Sequence, residues 1–452
     1  METPIYDFLK EYSKKDPLRM HMPGHKGYAP ENILDNNNLN ALYSLDITEI
    51  HGADSLFEAD GIIKKSEENA ARLYNSAETV YSCGGSTLCI QAMLCLMKQE
   101  NRRVIAGRTV HKAFLNACIL LDLNITWVYP KEENGILSGK YDIADFEKAL
   151  ADADGKSCCV YITSPDYMGN IADIKSLSEI SHKYNAPLLV DNAHGANLAF
   201  TPDNLHPMTL GADLCCDSAH KMLPCITGCA YLHTSNEKYK GRLKSAMNMF
   251  GSTSPSYLML MSLDLCNRFL AENARENIAE IYKATINMKK RLFEKYSYIF
   301  GSGQEILHIV IDTAKMEICG NELAEKLESL GCYPEYSGND AVILLLSASQ
   351  KAEDILSLEK ILEKCMPIKK VKQTKINPPS FPKPYAVMDI RSAALCSSEI
   401  IKIENSIGRI CADVRVPCPP AIPIVISGEL IDKKAVDTMR FYGIKEVAVV
   451  SE

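Results

Sequence analysis

Ser218-Ala219-His220-Lys221-Met222-Leu223-Pro224, preceded in the chain by Asp191-Asn192-Ala193-His194-Gly195, is the pair of stretches that decides the fold. Lys221 follows an apolar run that includes Leu214-Cys215-Cys216, and Asp191 ends the short apolar strand expected at Pro187-Leu188-Leu189-Val190. A lysine and an acid so placed are the two groups a pyridoxal phosphate site needs. The amine forms a Schiff base, and the carboxylate keeps the ring nitrogen protonated. A surface lysine and a capping aspartate would look the same in isolation, so the surrounding segments must carry the reading.

Working back from Asp191, strands and helices alternate. Thr79-Val80-Tyr81-Ser82-Cys83, Arg103-Val104-Ile105-Ala106, Ile125 to Tyr129 and Cys158 to Thr163 read as strands. Helical patterns cover about Gly61 to Tyr74, Leu88 to Lys98, Ala113 to Leu121 and Ile174 to Tyr184. This alternation predicts an α/β fold with a doubly covered, mostly parallel sheet. Ligands of such sheets sit at the carboxyl ends of the strands. Gly84-Gly85-Ser86-Thr87, His111, Ser164, Asp191 with His194, and Ser218 to Lys221 all fall just after expected strands, hence along one rim. The GGST turn before a helix can aim backbone N–H groups at a phosphate, although any tight strand-to-helix connection favours glycine and a capping hydroxyl.

Working forward, Thr227 to His233 reads as another strand, Asn248 to Tyr257 as a hydroxyl-rich turn, and about 258–296 as helical. Strands at Ile306 to Ile311 and Val342 to Leu346, with helices around 321–330 and 351–364, suggest a second α/β unit beginning near residue 300. The expected division is a loop-rich segment 1–60, a large domain 61–300 and a smaller C-terminal α/β domain 301–452. The basic run Lys369 to Lys375 reads as a solvated edge and loop. The prolines from Pro417 to Pro423 cannot lie in a sheet interior and predict a stiff extended wall.

The 452 residues are too many for one ordinary core, and 46% hydrophobic with 23% charged residues is the balance of an ordinary soluble protein. A net charge of -8 argues against an electrostatic nucleic-acid binder. The 17 cysteines are scattered through apolar runs without paired CxxC spacing, so they read as buried thiols in a reducing compartment, with no metal centre. Met1-Glu2-Thr3-Pro4-Ile5 does not resemble a signal sequence and no apolar stretch approaches a membrane span, so a cytoplasmic protein without membrane contact is expected.

The motifs HMPGHKG at 21–27, DITEIHGADSLF at 46–57, GGST at 84–87, VHKAF at 110–114, DNAHGAN at 191–197, SAHKMLP at 218–224, TSPSY at 253–257 and PPAIPIVISGE at 419–429 span nearly the whole chain. In their order they resemble the fold type I pyridoxal phosphate decarboxylases acting on ornithine, lysine and arginine, most of all the short bacterial members. The resemblance implies an aspartate-aminotransferase-like large domain plus a smaller C-terminal domain. It implies pyridoxal 5'-phosphate as cofactor and a basic amino acid as substrate, decarboxylated to a diamine or polyamine precursor. It gives Lys221 the covalent bond to the cofactor, Asp191 the ring nitrogen and His111 the ring face. Ser86, with the amides of Gly85 and Thr87, would hold the phosphate, helped by Ser218 and His220. Thr253 would reach the phosphate of a partner subunit, implying a homodimer or higher homo-oligomer with shared active sites. His220 or Lys221 would return a proton to Cα, and His194 would either touch the ring edge or pack beside it.

The chain departs from the family pattern at three positions. Cys418 stands where tyrosine usually precedes the proline pair, Ala421 replaces the glycine after it, and Gly228 replaces a glutamine. All three bear on the substrate side. The group reading the substrate's distal charge is left among Glu49, Asp54 and Glu429. Other pyridoxal phosphate chemistry, such as aminotransfer, and a non-catalytic scaffold are the competing readings, since fold alone does not select the bond that breaks.

Overall fold

The computed structural model describes residues 1–29, 37–296, 300, 303–313, 316, 318–366, 378–413 and 420–451. The basic run 369–375 lies outside the described residues, as do Pro417, Cys418 and Pro419 of the proline-rich stretch. The chain forms two compact units, one of Met1–Leu96 with Leu189–Glu276, the other of Met97–Leu188 with Asn277–Glu452.

In the first unit the strands Glu78–Ser82, Ala230–Thr234, Leu214–Asp217 and Leu188–Asp191 lie side by side in that order. Ala230–Thr234 runs antiparallel to both its neighbours, whereas Leu214–Asp217 and Leu188–Asp191 are parallel, with Asp191 opposite Cys216. Every residue of the four is buried. That is why Leu188-Leu189-Val190 is apolar without alternation, as strands covered on both faces are. The helices Pro4–Lys14, Ile62–Tyr74 and Tyr257–Glu272 pack on one another.

Three boundaries differ from the sequence expectation for local reasons. The helix expected from Leu88 starts at Gly85, so Gly85, Ser86 and Thr87 form its first turn. The strand expected from Thr227 starts at Ala230, because Gly228 adopts a φ of +94° and turns the chain. The long helical region is two helices, Tyr257–Glu272 and Ala274–Lys295.

In the second unit Cys158–Thr163, Arg103–Gly107 and Ile125–Val128 lie in that order and all run parallel. The architecture is therefore the expected α/β one with mostly parallel strands. Two antiparallel three-stranded sheets follow in sequence, the first built on His308–Asp312 and Ala341–Leu345, the second on Ser398–Lys402 and Glu446–Val450. Val310, Ile343, Val447 and Val449 from these sheets share one buried cluster with Phe381 and Ile424.

Arg108 holds Pro423 and Ile424 within this unit. Its fully buried guanidinium lies 5.1 Å from the centres of the Trp127 and Phe381 rings. It donates to the carbonyls of Pro423 and Ile424 and, at 3.2 Å, to the Glu429 carboxylate. Among the described residues the cysteines are all free thiols, and no helix is long and apolar enough to cross a membrane.

Candidate active site

The carboxyl ends of Leu188–Asp191 and Leu214–Asp217 carry the two stretches that open the sequence reading. Their parallel pairing puts the turns that follow side by side, and the Asn192 N–H donates to the Cys216 carbonyl at 2.9 Å. After Asp217 the chain makes one helical turn, Ala219–Met222, which carries Lys221. After Asp191 it makes a tight turn closed by the Gly195 N–H on the Asn192 carbonyl at 2.8 Å, which carries His194. The two turns meet where Lys221 Nζ lies 3.1 Å from His194 Nε2.

Asp191 is 2% exposed. Its Oδ1 accepts the Ala193 N–H at 3.2 Å and the Cys216 thiol at 3.6 Å. Burial, followed by the Asp191 charge, pushes the Cys216 thiol well above its usual range, so it stays protonated and donates. The His220 Nδ1–H donates to the Cys229 carbonyl at 3.1 Å. Ser218 is buried, and its Oγ lies 3.4 Å from His220 Nδ1.

The glycine turn at 84–87 is shaped by Ser82, whose hydroxyl donates to the Gly85 carbonyl at 2.9 Å and accepts the Gly84 N–H at 3.1 Å. Gly85 has a φ of +66°. Its N–H donates to the Gly228 carbonyl at 2.8 Å, so this amide is engaged inside the turn. Ser86 and Thr87 sit in the first helical turn, where backbone N–H groups have no intrahelical acceptor. Amides so placed at a helix start suit an anion. A cavity of about 310 Å³ opens beside the turn, lined in part by Leu56, Phe57, Gly84, Thr87, Ser252 and Ser256. Thr253 is exposed, on the turn between Ser252 and Ser254.

Lys221, Asp191, His194, Ser218, His220, Gly85, Ser86, Thr87 and Thr253 thus all belong to the first unit. His111 belongs to the second, where it caps the helix Lys112–Leu121, its Nδ1 accepting the Ala113 N–H at 3.1 Å. Of the three acids considered for the substrate's distal charge, two are committed elsewhere. Asp54 accepts the N–H groups of Ser55, Asp60, Gly61 and Ile63, and burial of Glu429 is relieved by Arg108. Glu49 is exposed and accepts the Ser55 hydroxyl at 2.7 Å.

The motifs do not single out a buried cluster of His206, Asp217 and His233. Asp217 Oδ2 lies 2.9 Å from His206 Nε2 and 3.2 Å from His233 Nε2. Its only sequence signal is an acid ending an apolar strand directly before Ser218. Which histidines it meets depends on tertiary packing.

The site's residues fit pyridoxal phosphate. The lysine amine has a neighbouring base, a buried carboxylate stands on the adjacent strand, and a helix start with unpaired amides opens on a cavity. The chain matches the model of the Orn/Lys/Arg decarboxylase major domain over residues 3–317 and that of the C-terminal domain over 385–448. It is 29% identical to an arginine decarboxylase of Bacillus subtilis (strain 168), over 96% of this chain and 92% of that one. It is 26% identical to an arginine decarboxylase of Bacillus anthracis, over 97% and 92%. The structure superposes on the Francisella novicida lysine decarboxylase LdcF with a TM-score of 0.83 at 14% identity, covering 99% of this chain and 81% of that one. With both family domains matched in order and the fold shared, the chain belongs to the Orn/Lys/Arg decarboxylase family.

Proposed function

We propose that this chain is a pyridoxal phosphate-dependent decarboxylase of a basic amino acid, arginine, lysine or ornithine, releasing carbon dioxide and forming a diamine or polyamine precursor. The observation that carries the reading is Lys221 Nζ at 3.1 Å from His194, on a turn adjacent to the buried Asp191. The curated relatives named arginine decarboxylases, matched over nearly their whole length, support the reaction class.

Pyridoxal phosphate, when bound, supplies an electron sink for the pair left at Cα as carbon dioxide departs. Lys221 provides the amine for covalent attachment, and His194 accepts its N–H. Asp191 would pair with the ring nitrogen and keep it protonated, since a nearby opposite charge favours the charged form. The Ser86 and Thr87 amides and the Ser218 hydroxyl bind the phosphate. His220 or Lys221 would return a proton to Cα after the carboxylate has gone. Glu49 is the acid of the three candidates left to meet the substrate's distal cation.

The same reading includes a homodimer in which Thr253 of each subunit reaches the phosphate of the other. By function, residues 61–300 would form the cofactor domain and 301–452 the smaller domain. The free thiols suit a cytoplasmic location.

Purified protein supplied with pyridoxal phosphate and assayed for carbon dioxide release from arginine, lysine and ornithine tests the proposal. Release from at least one is expected. Ammonia or a keto acid without carbon dioxide would replace the reaction by aminotransfer or lyase chemistry, and the lack of a visible absorbance band would point to a scaffold.

A further inference from the structure

The carboxylate of Asp217 is fully buried four residues before Lys221, where it accepts three side-chain N–H bonds and, at 3.6 Å, the Cys215 thiol. Oδ2 accepts from His206 Nε2 at 2.9 Å and His233 Nε2 at 3.2 Å, and Oδ1 accepts from Asn192 Nδ2 at 2.7 Å. Burial would raise its pKa, but the two imidazoles override this and hold it well below the usual carboxylate range. Asp217 is therefore an ionised acceptor whose geometry is fixed from two sides.

The proton positions follow from the other ring nitrogens. The Met208 backbone N–H points at His206 Nδ1 at 3.3 Å, and an amide can only donate, so Nδ1 holds a lone pair and Nε2 the proton. Thr79 Oγ1 lies 2.7 Å from His233 Nδ1, and its hydroxyl can donate there when the ring's proton is on Nε2 toward Asp217. A metal bound at both Nε2 atoms would need those lone pairs and would leave His206 Nδ1–H facing the Met208 N–H. The donor set accordingly suits a hydrogen-bonded carboxylate and not a cation.

Asn192 is the strut between this cluster and the candidate site. It follows Asp191 directly, and its side chain is held on Asp217 at one end. At the other end its Oδ1 packs into the space at Gly195, where a Cβ would come within 2.1 Å. The turn so pinned carries His194, which lies 3.1 Å from Lys221 Nζ. From Asp217 the path runs along the chain to Lys221, across to His194, back along the turn to Asn192 and again to Asp217. Every link of this ring is a covalent segment or a contact of 3.1 Å or less.

We propose that Asp217, fixed by His206 and His233, is the positioning residue of the lysine site, and that Asn192 transmits its position to the His194 turn. The inference rests on the reading of Lys221 as the cofactor lysine.

The test uses Asp217→Asn, Asn192→Ala and the double variant of the full chain. Readouts are pyridoxal phosphate affinity of the apoprotein, borohydride trapping at Lys221 and amide hydrogen exchange over 191–195 and 218–221. Asn192→Ala removes only the strut and leaves the His206–Asp217–His233 cluster intact, so it carries the test even where Asp217→Asn folds poorly. Each single variant is expected to lose about tenfold in affinity and to exchange faster in both turns, and the double variant to lose no more than the worse single one. Wild-type affinity and exchange in Asn192→Ala would overturn the inference, as would losses that simply add, or a stoichiometric metal in the wild-type protein that Asp217→Asn removes. If the wild type itself shows no trapping at Lys221, the proposed function fails, while the exchange data still judge the ring of contacts.

Discussion

Lys221 Nζ and His194 Nε2 face each other at 3.1 Å across two turns that begin on neighbouring parallel strands. A lysine ammonium only donates, so His194 Nε2 accepts and the ring keeps its proton on Nδ1. On the proposed function, the histidine's task is to hold the amine in place for the cofactor. His194→Ala is expected to slow the growth of the visible absorbance band about tenfold when pyridoxal phosphate is added to apoprotein, whereas His194→Gln, which restores an acceptor, recovers part of the rate. An unchanged rate in His194→Ala would show that the contact is packing only.

Lys221→Ala removes the amine but leaves the Ser86 and Thr87 amides, Ser218 and Asp191. Carbon dioxide release should fall to background while equilibrium dialysis still finds pyridoxal phosphate bound, now without a borohydride-stable mass increment. Substantial turnover in this variant would refute the assignment of the lysine.

Gly228 stands where the resemblance leads one to expect glutamine, and the backbone shows what glycine serves here. Its φ is +94°, its carbonyl takes the Gly85 N–H, and an added Cβ would come 2.7 Å from Met259 Cε. Gly228→Ala should cost about 1–2 kcal/mol in urea unfolding, from the left-handed backbone and the displaced methionine. It should also weaken phosphate binding, because the glycine turn hangs on that carbonyl. Wild-type stability would mean that the turn relaxes freely.

Ala421 presents the reverse case. It stands where the resemblance leads one to expect glycine and keeps a φ of +55°, with its carbonyl accepting the Lys112 N–H at 2.9 Å. Alanine is strained in this region, whereas glycine is not, at the cost of more freedom in the unfolded chain. Ala421→Gly is therefore expected to leave the midpoint of thermal unfolding unchanged or to raise stability by up to about 1 kcal/mol. A clear loss would mean that the methyl group makes packing contacts worth more than the strain.

These two positions mark where sequence reading stops. The α/β fold and the turns carrying Lys221 and Asp191 were legible because apolar runs such as Leu188-Leu189-Val190 and the residues at their ends are local signals. The role of Gly228 was not, since it depends on an acceptor for Gly85, far away in the chain. The commitment of Glu429 to Arg108 was hidden for the same reason, the two lying 321 residues apart. The Asp217 cluster needed Leu214–Asp217 and Ala230–Thr234 to be paired before His233 could face the acid. What resists the sequence here is the pairing of buried polar groups, which follows packing and not pattern.

Glu67 supplies a pH dependence whose sign can be worked out. Its carboxylate is 1% exposed, 2.8 Å from Lys244 Nζ, and accepts the Tyr81 N–H at 3.1 Å. Burial, only partly offset by Lys244, pushes its pKa up to about 7 from 4.5. Between these values the folded chain binds the proton that the unfolded chain has released, so unfolding free energy declines as pH rises through this window and levels off above pH 7. The loss from this group is on the order of 3 kcal/mol. Asp264, buried against the Ile5 and Tyr6 N–H groups and raised to about 6, slopes in the same direction, so the wild-type curve alone does not isolate Glu67. The comparison with Glu67→Gln does, because glutamine carries no titrating proton while Asp264 is common to both chains. Urea unfolding of both proteins at pH 5 and pH 8 should show the wild type losing ground to Glu67→Gln as pH rises. A difference that stays constant, or that grows in the wild type's favour, would mean that Lys244 keeps Glu67 ionised throughout and that the buried pair is a salt bridge at both pH values.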